Sequence, residues 1–206
     1  MVHAERDALI RDLKALPTER WSTPSLCPGW DVHDVLAHLV DDAKATRLGF
    51  FLRLAAARID FDRCNNAGVA RERAGEPQLT LASFRAASRR TSSAPVPRVT
   101  RLVEVFVHGE DIRRPLGLGR DYPVAHVVAA LRYQLSTGVA VGGGRERAHG
   151  LRLTATDASV DVGEGPEVRG TALALLLAVS GRPLGSDELS GPGVPALTRD
   201  GGFHHG

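Results

Sequence analysis

The chain has 206 residues, 43% hydrophobic and 24% charged, with a formal net charge of +2. That is the balance of an ordinary soluble globular protein of one domain, or one domain with a small appendage, and it excludes little else. The basic charge is almost wholly arginine, since Lys14 and Lys44 are the only lysines, and no Lys/Arg block or basic stretch with interleaved aromatics occurs, so no nucleic-acid partner is expected.

From Ala4 to Leu16 the apolar residues Leu9, Ile10, Leu13 and Leu16 recur at helical spacing, and Pro17 stops the pattern. A turn-rich connector, Trp21 to Gly29, leads to Asp31, which is placed to cap a second helix expected to run into the fifties. Phe61 to Gly75 is polar with scattered apolar positions. Leu79 to Arg90 is again helical in pattern before Ser92-Ser93-Ala94-Pro95-Val96-Pro97 interrupts it. Val99 to Ile112 is a strongly apolar helix stopped by Arg114-Pro115-Leu116-Gly117, and Pro123 to Val141 predicts another.

Gly142-Gly143-Gly144 lacks the preceding strand and following lysine of a phosphate loop and is expected to be a flexible connector between two parts of the chain. After it the period changes. Leu151, Leu153 and Ala155 alternate with polar residues, Asp157-Ala158 offers a turn, and Val160 and Val162 alternate again, which predicts a short hairpin. Thr171 to Ser180 predicts an apolar helix. The expected fold is therefore mainly α, an antiparallel bundle of helices over residues 1–144 followed by a small α+β segment over residues 145–206.

Cys27 and Cys64 are far apart, and the start of the chain has no charged n-region followed by an apolar h-region, so cytoplasmic localisation is expected. The longest apolar run, Ala172 to Val179, falls well short of the roughly 20 residues a membrane helix needs, so no membrane partner is expected either.

Chemistry concentrates in the apolar helix after Val99. Glu104, His108 and Asp111 interrupt its hydrophobic surface at spacings of four and three residues, which puts all three on one face. A carboxylate and an imidazole buried there need partners, and a metal ion satisfies both. A plain Glu–His hydrogen bond, extended to Arg101 or Arg113, is the competing reading. A third ligand must come from elsewhere. In the second helix the apolar stripe is Val32, Val35, Leu36, Leu39 and Val40, and both His33 and His38 lie off its centre. His38 as the ligand and His33 as a solvated residue is favoured over the reverse assignment, and Asp42, four residues past His38, is placed to orient its ring.

Pro24-Ser25-Leu26-Cys27-Pro28-Gly29-Trp30, then Val35-Leu36-Ala37-His38-Leu39, Phe61-Asp62-Arg63-Cys64-Asn65 and Val107-His108-Gly109-Glu110-Asp111-Ile112-Arg113-Arg114-Pro115-Leu116-Gly117 resemble the mycothiol-dependent maleylpyruvate isomerase family of the DinB-like superfamily. Val162-Gly163, Gly165-Pro166, Leu175-Leu176 and Gly181-Arg182 look like that family's small C-terminal part, so the resemblance spans almost the whole chain. It implies a DinB-like bundle with a single divalent metal, expected to be zinc, held by His38, Glu104 and His108, and with mycothiol as cosubstrate.

Three protein ligands leave a coordination position open, as catalytic rather than structural zinc requires. The expected activity is that of an isomerase or S-transferase: a low-molecular-weight thiol adds as its thiolate to a small electrophile, and the product is an isomer if the thiol leaves or a conjugate if it stays. Arg182 is the candidate for holding a substrate carboxylate by a two-point contact, with a helix-end cation as its alternative role. The rival is a noncatalytic metal- or ligand-binding member of the same fold. Direct hydrolysis is a third possibility, with Asp41, Asp42 and Asp111 as conceivable bases. The expected partners are the thiol and the electrophile alone, on a monomer or homodimer.

For the remaining residues two roles stand side by side. Asp111 either orients His108 or pairs with Arg114. Trp30 either lines the mouth of the site or staples the second helix to the bundle, and the staple is preferred. Cys27 is read as an unreactive thiol, and His204-His205 as part of a disordered tail.

Overall fold

The computed structural model describes residues 1–56, 60–91 and 97–199. The interruption expected at Ser92 to Val96 and the His204-His205 tail lie outside them. Two compact units divide the chain, Met1–Arg120 and Asp121–Gly206.

The first unit is a helix bundle. Helix α1 (Val2–Leu13) turns Leu9, Ile10 and Leu13 inward, and a 3₁₀ turn at Thr18–Ser22 adds Trp21 to the same core. Helix α2 (Val32–Lys44) starts with a capping box. Asp31 accepts from the Asp34 amide at 2.8 Å, and Asp34 accepts from the Asp31 amide at 3.1 Å. Arg73 then grips both carboxylates, at 2.7 and 2.6 Å.

The second helix is shorter than expected. Ala45 takes an extended backbone (φ −56°, ψ 138°), and the Thr46 hydroxyl accepts from the Gly49 amide at 3.2 Å, so the chain restarts as α3 (Arg47–Ala56). The polar stretch that follows is also helical, α4 (Phe61–Glu72), started by Asp60, which accepts from the Arg63 amide. Its periodicity is faint because it buries little more than Gly68 and Val69. Gly68 is there for closeness: a Cβ would stand 2.6 Å from Oδ2 of Asp41 on α2.

Helices α5 (Pro77–Ala87) and α6 (Thr100–Arg113) complete the unit. Val32, Val35, Leu36, Leu39 and Val40 of α2 sit centrally in a core with Leu9, Ile10, Leu13, Leu81, Phe84 and Ile112, so α2 is held from several sides by α5, α4 and α6.

The second unit begins with α7 (Val124–Ser136) and a 3₁₀ turn at Val139–Val141. Strands β1 (Arg152–Ala155) and β2 (Asp161–Val162) form the expected hairpin, with Leu153 opposite Val162. Strand β3 (Glu167–Gly170) adds parallel to β1. After α8 (Ala172–Val179), β4 (Leu189–Ser190) adds antiparallel to β3, giving the order β2-β1-β3-β4, and α9 (Val194–Leu197) closes the described part. Strand β4 is too short for alternation to announce it, and β3 buries only Val168 and Gly170, too little apolar pattern to stand out.

The division at 120/121 falls earlier than the expected 144/145, because α7 packs extensively on α8 and so belongs to the second unit. The triple glycine is accordingly no flexible connector. Gly143 donates to the Gly138 carbonyl and Gly144 to that of Gln134, both at 2.9 Å. A Cβ on Gly143 would stand 2.0 Å from the Thr137 carbonyl oxygen, and one on Gly144 2.3 Å from that of Val179. Among the described residues no helix is long and apolar enough to cross a membrane.

Candidate metal centre

Helix α6 carries Glu104 and His108 one turn apart, and α2 brings His38 against them. Glu104 Oε2 lies 3.2 Å from His38 Nε2 and 3.3 Å from His108 Nε2. The three ligand atoms all fall within 4.8 Å of one another, and the two imidazoles meet edge to face with centroids 4.7 Å apart. A tetrahedral zinc with bonds near 2.0–2.1 Å separates neighbouring donors by about 3.3 Å, which the two carboxylate–imidazole distances match.

Each of these three side chains has distinct support. His108 donates through Nδ1 to Asp111 Oδ2 at 2.9 Å, which leaves Nε2 facing Glu104. This bond is the one the orienting role of Asp111 needs, and Arg114 pairs with Glu110 at 2.9 Å. His38 is held differently. The ring of Trp30 lies across it at 5.2 Å, and its Nδ1 is buried with no hydrogen-bond partner among the described residues. Asp42 does not orient His38 as expected. It pairs with Arg6 of α1 at 3.0 Å, because Arg6 is turned into the bundle on the face of Leu9, Ile10 and Leu13.

Neither Arg101 nor Arg113 hydrogen-bonds Glu104. Arg101 donates to the Arg90 carbonyl at 3.0 Å, and Arg113 pairs with Asp12 at 2.7 Å. Loss of solvent alone would raise the Glu104 carboxyl, but hydrogen bonds from His108 and His38 outweigh it and hold the group well below the usual carboxylate range. For His108, burial works against the charged form, but the bonds to Asp111 and Glu104 dominate and push it up to about 9. Asp42 is raised, first by burial and then by the nearby Glu104 charge.

His33 is not solvated. It is 2% exposed, bonded through Nε2 to the Thr80 hydroxyl at 2.8 Å and set edge-on to Trp21, and burial followed by the Arg73 charge lowers its pKa. Trp30 fills both roles considered for it. It packs against the bundle core and donates its indole N–H to Asn66 of α4 at 2.9 Å while covering His38. Cys27 and Cys64 are half-buried, and neither is in a disulfide among the described residues. Arg182 belongs to the second unit, where its Nη1 donates to the Ser180 carbonyl at 2.8 Å at the end of α8, the contact expected of a helix-end cation.

Sequence reasoning passed over Arg6. The signal was present in its spacing of three, four and seven residues from Leu9, Ile10 and Leu13, which places it on the core-facing side of α1.

Residues 2–96 match the family model described as the mycothiol maleylpyruvate isomerase N-terminal domain. Among curated proteins none matches the chain. Two solved structures resemble it, the mycothiol-dependent maleylpyruvate isomerase, with a TM-score of 0.62, and a mutant of that enzyme, with 0.63. Each is 16% identical over 93% of this chain and 90% of the other. Residues 2–96 are thus similar to the mycothiol maleylpyruvate isomerase N-terminal domain, and the mainly helical fold with its small C-terminal sheet is the fold of the mycothiol-dependent maleylpyruvate isomerase.

Proposed function

We propose that this chain is a metal-dependent enzyme that uses a low-molecular-weight thiol, mycothiol or a close analogue, to isomerise or conjugate a small electrophile. The observation that carries the reading is the convergence of His38 Nε2, Glu104 Oε2 and His108 Nε2 at donor spacing in a half-buried cluster. The family match and the shared fold support it, since the proteins they name work with mycothiol.

His38, Glu104 and His108 would hold the ion, zinc by preference for this donor set, and a bound ion would lower the pKa of a thiol in its open position so that thiolate forms near neutral pH. Glu104 brings one negative charge, so the ligand set leaves net positive charge for an anionic sulfur. Trp30 excludes water from the His38 side. The thiolate sulfur would add to an activated double bond, whose electron pair passes to the conjugated carbonyl. Rotation and expulsion of the sulfur as thiolate give an isomer; return of the proton lost by the thiol to the carbon beside that carbonyl, with the sulfur retained, gives a conjugate.

The test is elemental analysis of protein purified without a metal column, together with His38→Ala and Glu104→Ala, followed by mycothiol titration of cobalt-loaded protein. One equivalent of ion in the wild type, lost in both variants, and a thiol-dependent change in the cobalt spectrum support the reading. A wild type that retains and takes up no metal refutes it, and a cobalt spectrum indifferent to thiol leaves the noncatalytic metal-binding alternative in its place.

A further inference from the structure

Asp111 is completely buried, on α6, beside core residues such as Ile112. An ionised carboxylate taken out of water is costly unless it is paired, and packing alone would be served better there by an apolar side chain. Its carboxylate instead receives the Nδ1–H of His108 at 2.9 Å. The Asp111 main chain makes a second link, its carbonyl accepting from the Leu26 amide at 3.3 Å. The turn so anchored carries Trp30, whose carbonyl accepts from Ser25 through amide and hydroxyl at 3.0 and 2.7 Å, and whose ring covers His38. One residue thus touches His108 directly and reaches the other histidine through a short, bonded turn.

The two imidazoles are unequally secured. Both rings face Glu104 through Nε2, but at Nδ1 His108 makes a charge-assisted hydrogen bond, whereas Nδ1 of His38 has no hydrogen-bond partner among the described residues. From this asymmetry we infer that Asp111 is the positioning residue of the metal centre: its carboxylate keeps the proton of His108 on Nδ1, aims Nε2 at Glu104 and His38, and thereby sets the affinity for the ion. The inference rests on the metal-centre reading proposed above and adds the residue on which that centre depends. Carboxylates behind ligating histidines act by fixing the tautomer and raising ligand basicity, and their loss typically weakens metal binding about 10–100-fold.

The experiment is competition of Zn²⁺ and Co²⁺ against a chromophoric chelator for the full chain, as wild type, Asp111→Asn and Asp111→Ala, with the visible spectrum of each cobalt form and the thermal stability of each ion-free form. The expected result is an affinity about tenfold lower in the Asn variant and up to about 100-fold lower in the Ala variant, with a changed cobalt spectrum. A purely structural Asp111 would lower the ion-free melting temperature and leave affinity and spectrum unchanged, which overturns the inference while the metal centre stands. If the variants do not fold, long-range ¹H–¹⁵N spectra of the zinc-loaded wild type decide. His108 with Nδ1 protonated and Nε2 on the metal upholds the inference, and ligation through Nδ1 overturns it. A wild type that binds neither ion overturns the function proposed above and this inference together.

Discussion

Trp30 lies across the ring of His38, with centroids 5.2 Å apart and planes inclined by 44°. The other tryptophan, Trp21, is in the core against His33, centroid to centroid 5.9 Å. The two indoles therefore report on different histidines. Titration with Co²⁺ should quench tryptophan emission and saturate at one equivalent, and Trp30→Phe should remove most of that quenching. Equal quenching in the variant would place the ion away from His38.

Metal removal should cost stability as well as any activity. An ion that binds only the folded chain stabilises it by about 4 kcal/mol at a thousandfold excess over its Kd. Chelator treatment should lower the melting temperature of the wild type measurably, and Glu104→Gln should melt at the same temperature with and without zinc.

His33 should make the bundle sensitive to mild acid. His33 Nε2 lies 2.8 Å from the Thr80 hydroxyl, which also accepts from the Ala74 amide at 3.1 Å. Burial, then the Arg73 charge, hold its folded pKa below that of an ordinary imidazole, about 6.5. The unfolded chain therefore takes the proton first. This contribution to stability is fully present above pH 6.5 and is lost as pH falls through the lower, folded value. NMR titration should find the His33 midpoint below 6.5. Thr80→Val, which orphans both the Ala74 amide and the imidazole, should cost about 1–3 kcal/mol in urea unfolding.

The glycines after α7 offer a sharper test of packing. Gly143→Ala and Gly144→Ala each drive a methyl into a backbone carbonyl, Thr137 or Val179, with no flexible side-chain end to yield. Each should destabilise the chain by more than the roughly 1 kcal/mol lost when glycine's own freedom is the issue, as at Gly142 with its φ of +81°. A flexible connector would accept all three substitutions with little change in the denaturation midpoint.

The sequence by itself determined the helices with strong apolar stripes, α1, α2, α5, α6, α7 and α8, because their burial follows the local 3.6-residue period. It also placed Glu104, His108 and Asp111 on one face, since spacings of three and four are a property of the helix alone. The polar helix α4 escaped because it buries so little, and the break at Ala45 and Thr46 because the local pattern stays helical across it.

Other matters were decided only by tertiary structure. His33 and His38 are nearly equivalent by periodicity. What separates them is that α5 brings Thr80 to the first and α6 brings Glu104 to the second. Asp42 likewise had a plausible partner one turn away, but α1 delivers Arg6 to it. Whether α7 belonged with the bundle or with the sheet depended on which distant surface its apolar face would meet, and α8 supplied that surface. In each case the chain fixed which groups were available, and long-range packing selected the partner, because a hydrogen bond or buried contact between distant segments leaves no periodic trace in either one.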